Sequence, residues 1–444
     1  MRMVYLFMIL FVSCSMTELF EEFYPEAEKI MQNMTLEQKV GQLFFPRFIN
    51  NTKDSDITTR FPGGFVLFAN DFNETANAVI NNIEYIQNLS QKTMKLPLGL
   101  AVDEEGGTVN RVSLFHRENG KFPSPHNIYN ESGLEGVLSV DQEKRDLLRK
   151  FKLNVNLAPV ADMSDDPNDF IYQRTLGYSL NETMTYIEKD VEGYVKDNFT
   201  CCVKHFPGYG NNVDTHGEIA IDNRTYENFL ERDLKPFESA IKSNVPMILV
   251  SHNIVLCKDK DYPASLSKIW HDILRNDLNY SGLIITDDLI MEAIKKYSGG
   301  LSPAILAVLA GNDIVLTSQF YEHLDATIEA VKNNTIPMEL INKACKRILA
   351  WKIKYLGARY IDDGGKGEGE DDGKGKGDDD GKGKEKDEQK NEPTNDNTLL
   401  IIILSLVCAI VLGIIIYFVL RQFYCKKQMN DNEIEKIAPD TNLL

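Results

Sequence analysis

Cysteine is scarce in this chain: seven residues in 444 are too few and too scattered to staple a disulfide scaffold. No CxxC pair and no Cys/His metal spacing occurs, which excludes a zinc ribbon or a dithiol redox centre. The adjacent Cys201 and Cys202 fall in a strand-like apolar stretch, where small-residue packing is the expected role. Basic residues are also in deficit. The 48 Lys and Arg against 66 Asp and Glu leave a formal charge of −18, which argues against nucleic acid as a partner, since phosphates demand clustered cations. No glycine-rich phosphate loop follows the first strand-like segment, and this disfavours an open doubly wound sheet.

The two ends of the chain read as an address. Residues 1–15 join Arg2 to an apolar stretch and small residues at a cleavage point, the form of a secretory signal peptide. Residues 398–420 are apolar, uncharged and long enough to cross a bilayer as a helix. Arg421, Lys426 and Lys427 follow, so residues 421–444 are expected to form a cytoplasmic tail. Residues 361–397 are an acidic Gly/Lys-rich stretch without aromatics, expected to be a disordered linker. Together these segments predict a type I single-pass membrane protein with residues 16–397 outside. Ten N-x-S/T sequons, all ahead of the apolar run, point to a glycoprotein of the secretory route.

Between leader and linker, eight short apolar runs alternate with helical patterns: 40–45, 64–68, 98–103, 153–160, 201–205, 246–251, 282–287 and 313–316. Runs rich in Val, Ile and Leu, rather than alternating ones, suit parallel strands covered on both faces. Helical segments are expected over 74–92, 184–197, 226–243, 303–310 and 338–356. The expected fold class is α/β, a (β/α)8 TIM barrel over residues 16–360.

Barrels build their sites at the carboxyl ends of their strands. There this sequence places Asp103 in VDEEGG, Asp162 in LAPVAD, Lys204 and His205 in KHFPGYG, His252 after strand six, and Asp287 and Asp288 in ITDDL. Charges at five strand ends need partners or a ligand. The residue types suit sugar chemistry, which calls for carboxylates to grip hydroxyls and attack an anomeric carbon, with cationic donors around the ring.

KHFPGYGNNVDTH, VDEEGGTVNR, YQRTLG, YPASLS and ITDDLIME resemble the signature segments of the β-N-acetylhexosaminidases of glycoside hydrolase family 3, over about residues 33–357. The resemblance implies a catalytic set: Asp287 as nucleophile, and Asp214 with His216 as an acid/base pair. It implies that Asp103, Arg111, Arg174, Lys204 and His205 bind an N-acetylated sugar. Asp162 and His252 stand between sugar binding and holding the barrel rim, and Asp288 fits a structural role better than a catalytic one. A carboxylate beside His216 would orient its ring and raise its proton affinity. The implied partner is a terminal N-acetylglucosamine-containing glycan, with no metal or organic cofactor.

Some positions depart from the family pattern. Tyr209 replaces a common second His, Thr108 a common Arg, and the loop spacer Asn211-Asn212-Val213 is one residue short. Other readings of the same residues are a family 3 β-glucosidase, a glycoside phosphorylase and a non-catalytic carbohydrate-binding surface protein.

Overall fold

The computed structural model describes residues 18–360 other than 49–51, 53, 213–219, 290–293, 295, 296 and 298. The chain divides into two units, Met1–Gly364 and Gly365–Leu444, and the described residues all belong to the first. The expected signal peptide (1–15), linker (361–397), apolar span (398–420) and tail (421–444) lie outside the described residues.

Ten strands are described: β1 (Phe44–Pro46), β2 (Gly64–Leu67), β3 (Gly99–Val102), β4 (Val155–Asn156), β5 (Thr200–Phe206), β6 (Ile221–Asp222), β7 (Met247–Val250), β8 (Ile254–Val255), β9 (Leu283–Thr286) and β10 (Val315–Thr317). Helices separate most of them, the longest being Pro125–Lys150, Ala76–Met94, Met338–Leu356 and Leu180–Lys196. Local chemistry sets their starts. Thr35 and Ser179 open helices through reciprocal capping boxes with Gln38 and Glu182, which satisfy backbone N–H groups that would otherwise lack partners. The Thr35 cap also explains why the first strand starts late: residues 36–42 are drawn into a helix, and β1 begins only at Phe44.

The fold differs from the expected TIM barrel with a C-terminal transmembrane helix. The continuous ladder is a half-barrel sheet of six parallel strands in the order β2-β3-β4-β5-β7-β9, within a (β/α)8-like arrangement. β1 and β10 form a separate parallel pair, joined to the two edges of that sheet by the bridges Arg47–Val66 and Ile285–Ile314 and by backbone hydrogen bonds such as Phe48 N–H to the Val66 carbonyl and Thr286 N–H to the Ile314 carbonyl. Proline accounts for part of this. Pro46 ends β1 and Pro159 follows the two-residue β4, and neither has an N–H to extend a ladder. Among the described residues no helix is long and apolar enough to cross a membrane.

The strands are buried on both faces, as their unbroken apolar runs require. Val66, Ala101, Cys202, Met247, Leu249 and Ile285 join one core cluster, whereas Phe65, Leu67, Leu100, Val102, Cys201, Ile248 and Val250 join a second. Cys201 and Cys202 thus pack into different layers, both as free buried thiols, and burial raises the Cys202 pKa well above the ordinary thiol value.

The amino ends of the strands are sealed. Phe45 and Trp351 pack with ring centroids 6.2 Å apart, and Trp351 Nε1 donates to Thr200 Oγ1 at 2.9 Å. A Cβ on Gly99 would lie 2.6 Å from the Phe45 ring and 2.8 Å from Trp351, so the seal requires glycine there. Helix Met338–Leu356 also buries Lys352, whose ammonium donates to Gln42 Oε1 at 2.6 Å. With this end closed, the carboxyl ends are left for the site.

Burial pulls the Lys352 pKa down to about 7. An unfolded lysine titrates near ~10.4, so between those values the unfolded chain binds the extra proton and stability rises with pH. Urea midpoints of the wild type should therefore climb between pH 7 and pH 9.5, while those of Lys352→Met should not share that climb. Parallel profiles for the two proteins would refute this account.

Candidate active site

The turn after β3 carries three consecutive acids, and the fold sends each to a different task. Gly106 makes the turn feasible: its φ is +96°, and a Cβ would lie 2.3 Å from the Pro123 carbonyl. Glu104 turns inward, and its carboxylate accepts the backbone N–H of Arg111 at 3.1 Å and of Val112 at 2.7 Å, together with the Ser113 hydroxyl. Burial raises its pKa. Glu105 accepts two hydrogen bonds from the Arg174 guanidinium, at 2.8 and 2.9 Å, and lies 2.5 Å from Lys204 Nζ. Asp103 takes the other side of the same ammonium at 2.6 Å, with the Arg111 guanidinium 3.7 Å away.

Electrostatics tie this group together. Burial alone would raise the Glu105 pKa, but the Arg174 and Lys204 charges hold its carboxyl well below the usual range. Burial would likewise discharge Lys204, and Asp103 and Glu105 raise its pKa instead. The same opposition acts on Arg174, where the Glu105 charge outweighs desolvation. Both cations stay charged because buried acids face them.

The KHFPGYG segment supplies the neighbouring wall. Arg174 Nη2 lies 3.0 Å from His205 Nε2. A guanidinium can only donate, so Nε2 accepts and Nδ1 carries the proton, which it donates to Asp162 Oδ2 at 2.6 Å. Asp162 also accepts the His205 N–H at 3.1 Å and the Tyr209 N–H at 2.7 Å. Asp162 therefore shapes the loop and orients His205.

At the end of β9, the Asp287 carboxylate accepts the Asp288 N–H at 2.8 Å. Asp288 accepts from Ser318 N at 2.9 Å and Ser318 Oγ at 2.5 Å, linking the ends of β9 and β10. His252 is buried, with Nδ1 at 2.7 Å from Ser265 Oγ and Nε2 at 3.1 Å from the Asp288 carbonyl. It braces the rim.

Asp103, Arg111, Arg174, Lys204, His205 and Asp287 all line one cavity of about 340 Å³. Six of the eight residues that the sequence motifs point to therefore meet in one place. The other two, Asp214 and His216, lie outside the described residues. On either side of residues 213–219 the chain is tied together, since Asn212 Nδ2 donates to the Tyr209 carbonyl and to Asp222 Oδ2, each at 2.7 Å. Glu105 does not stand out in the sequence, although it partners both buried cations; the only signal is a third acid in VDEEGG. Arg47 and Phe68 also line the cavity, with the guanidinium carbon 4.3 Å from the ring centroid. Among the described residues, no group of three or more His, Cys, Asp and Glu could hold a metal ion. A cavity with acids and fixed cationic donors suits a neutral polyhydroxylated ligand.

Residues 35–351 match the glycosyl hydrolase family 3 N-terminal domain. A protein named uncharacterized secreted glycosyl hydrolase from Arthroderma benhamiae is 28% identical over 309 residues, covering 65% of this chain and 84% of that protein. A β-hexosaminidase of Psychromonas ingrahamii is 30% identical over 223 residues, covering 49% of this chain and 65% of that protein. Among solved structures, the family 3 β-N-acetylglucosaminidase of Paenibacillus sp. superposes with a TM-score of 0.67 at 27% identity, covering 74% of this chain and 65% of that one.

Glu105→Gln tests the charge network. It removes the anion shared by Lys204 and Arg174 and should cost about 3–5 kcal/mol near neutral pH. Because the folded-state pKa is depressed, this contribution is present above the ordinary carboxylate range and is lost as pH falls toward the folded value. The gap between wild-type and variant urea midpoints should therefore narrow in acid. A gap that stays constant down to pH 3 would contradict the assignment.

Proposed function

The chain belongs to glycosyl hydrolase family 3, and on that premise we propose that it is an exo-acting, retaining β-N-acetylhexosaminidase that removes terminal β-linked N-acetylglucosamine. The observation that carries this reading is the single cavity of about 340 Å³ in which Asp287 stands with Asp103, Arg111, Arg174, Lys204 and His205. That volume suits one terminal sugar held by several polar contacts. Asp103 accepts from sugar hydroxyls, while Lys204, Arg111 and Arg174 donate to them from positions set by buried ion pairs.

In this reading Asp287 attacks the anomeric carbon and forms a covalent glycosyl-enzyme. His216, with Asp214 as its acidic partner, protonates the departing glycosidic oxygen. In the second half-reaction it removes a proton from water, which releases the sugar with retained configuration. Residues 16–360 form the catalytic domain. The signal-like leader and the sequons support action outside the cell, in keeping with the name of the Arthroderma relative as a secreted glycosyl hydrolase.

The protein should hydrolyse p-nitrophenyl N-acetylglucosaminide in preference to the matching glucoside, with or without phosphate; preference for the glucoside would overturn the substrate assignment. Asp287→Ala should abolish turnover with the urea midpoint retained, and an active variant would sink the nucleophile role. His216→Ala should lower kcat by about 10²-fold or more on poor leaving groups and less on activated aryl glycosides. Equal losses on both would count against the acid role.

A further inference from the structure

A second cavity, of about 300 Å³, opens beside the first. The two share Arg47 and Ser318, at the ends of β1 and β10, as wall residues, so they adjoin. The second cavity has an aromatic wall made by Phe320 and Tyr321, in the first turn of helix Phe320–Lys332. Tyr321 is 50% exposed, yet its ring is held in place. Its hydroxyl donates to Asp56 Oδ1 at 2.6 Å, and the Arg60 guanidinium carbon lies 5.6 Å from the ring centroid.

A lone exposed aromatic needs no explanation. This one lines a cavity that shares two wall residues with the catalytic one, and its hydroxyl is held by a buried carboxylate before any ligand arrives. Gln319 adds an amide and Arg47 a guanidinium to the same cavity. An aromatic face suits the C–H surface of a pyranose, and the surrounding polar groups suit its hydroxyl and acetamido groups. Pre-ordering the ring lowers the entropy lost on binding.

We propose that this cavity is the acceptor-side subsite, which holds the sugar next to the terminal residue of a β-linked N-acetylglucosamine oligosaccharide. The proposal rests on the glycosidase reading, since it takes the terminal sugar to occupy the cavity of Asp103 and Lys204. It makes the protein selective for oligosaccharides, with Tyr321 as the specificity-determining side chain.

Calorimetric titration with N-acetylglucosamine and with thio-linked, hydrolysis-resistant chitobiose separates the two cavities. In the wild type the disaccharide should bind more tightly than the monosaccharide. Tyr321→Ala should reduce that advantage about tenfold and leave the monosaccharide Kd within about twofold. Tyr321→Phe should retain most of it, and Gln319→Ala should lose part of it, giving a second probe if the first variant folds poorly. A wild type that binds both ligands equally, or a Tyr321→Ala variant that weakens both alike, overturns the subsite alone. No binding of either sugar together with no turnover of p-nitrophenyl N-acetylglucosaminide refutes the glycosidase reading instead.

Discussion

The site is organised around the ammonium of Lys204. Its side chain is only 3% exposed, and it sits at the end of a strand buried along its whole length. A desolvated charge there is tolerable only if acids meet it closely. Asp103 and Glu105 do so at 2.6 and 2.5 Å. Glu105 in turn needs a second cation, which Arg174 provides, and Arg174 sets the tautomer of His205 by donating to Nε2. Asp162 completes the series from the far side of the imidazole. From one buried charge follow the orientations of five more side chains, drawn from the carboxyl ends of β3 and β5 and the segment after β4.

The framework makes this arrangement available by closing one end of the strands and leaving the other free. Phe45 and Trp351 pack over Gly99 at the amino ends with their rings tilted, and Trp351 is carried by helix Met338–Leu356. The polar groups of that buried layer are matched with one another, Lys352 with Gln42 and Trp351 Nε1 with Thr200. At the carboxyl ends the strands stop early, and their loops carry the acids and cations into a cavity that solvent can reach. The edges of the six-stranded sheet meet the β1–β10 pair through one bridge each and a few backbone hydrogen bonds. That sparse join lies at the same side as Arg47 and Ser318, where the two cavities adjoin.

Much of the site is legible in the sequence because it is written in adjacent residues. Asp103, Lys204, His205 and Asp287 end apolar runs, and a charge ending a run that is buried on both sides has few bland explanations. Arg111 and Arg174 are legible only through resemblance to family motifs, since a single arginine in a loop has no pattern of its own. Glu105 is hidden because VDEEGG offers three acids with the same chemistry, and nothing local tells them apart. The Arg47–Phe68 contact and the Tyr321–Asp56 bond are equally silent. The latter joins residues 265 positions apart, and neither partner falls in a motif. The span expected at 398–420 lies outside the described residues, among which no helix is long and apolar enough to cross a membrane.

Sequence alone determined the parallel α/β class, the positions of eight of the ten described strands to within a few residues, and the identity of the charges at the strand ends. Burial on both faces leaves a continuous apolar run, and that run is local information. Only the tertiary structure decided which of the three acids faces the cavity, which caps a turn and which holds Lys204 and Arg174. It also decided that the ladder is a six-stranded half-barrel rather than an even ring of eight. The reason is physical in both cases. Carboxylates with the same intrinsic chemistry are distinguished by the backbone turn that aims them and by the cations brought within about 3 Å, and those cations come from segments far away along the chain.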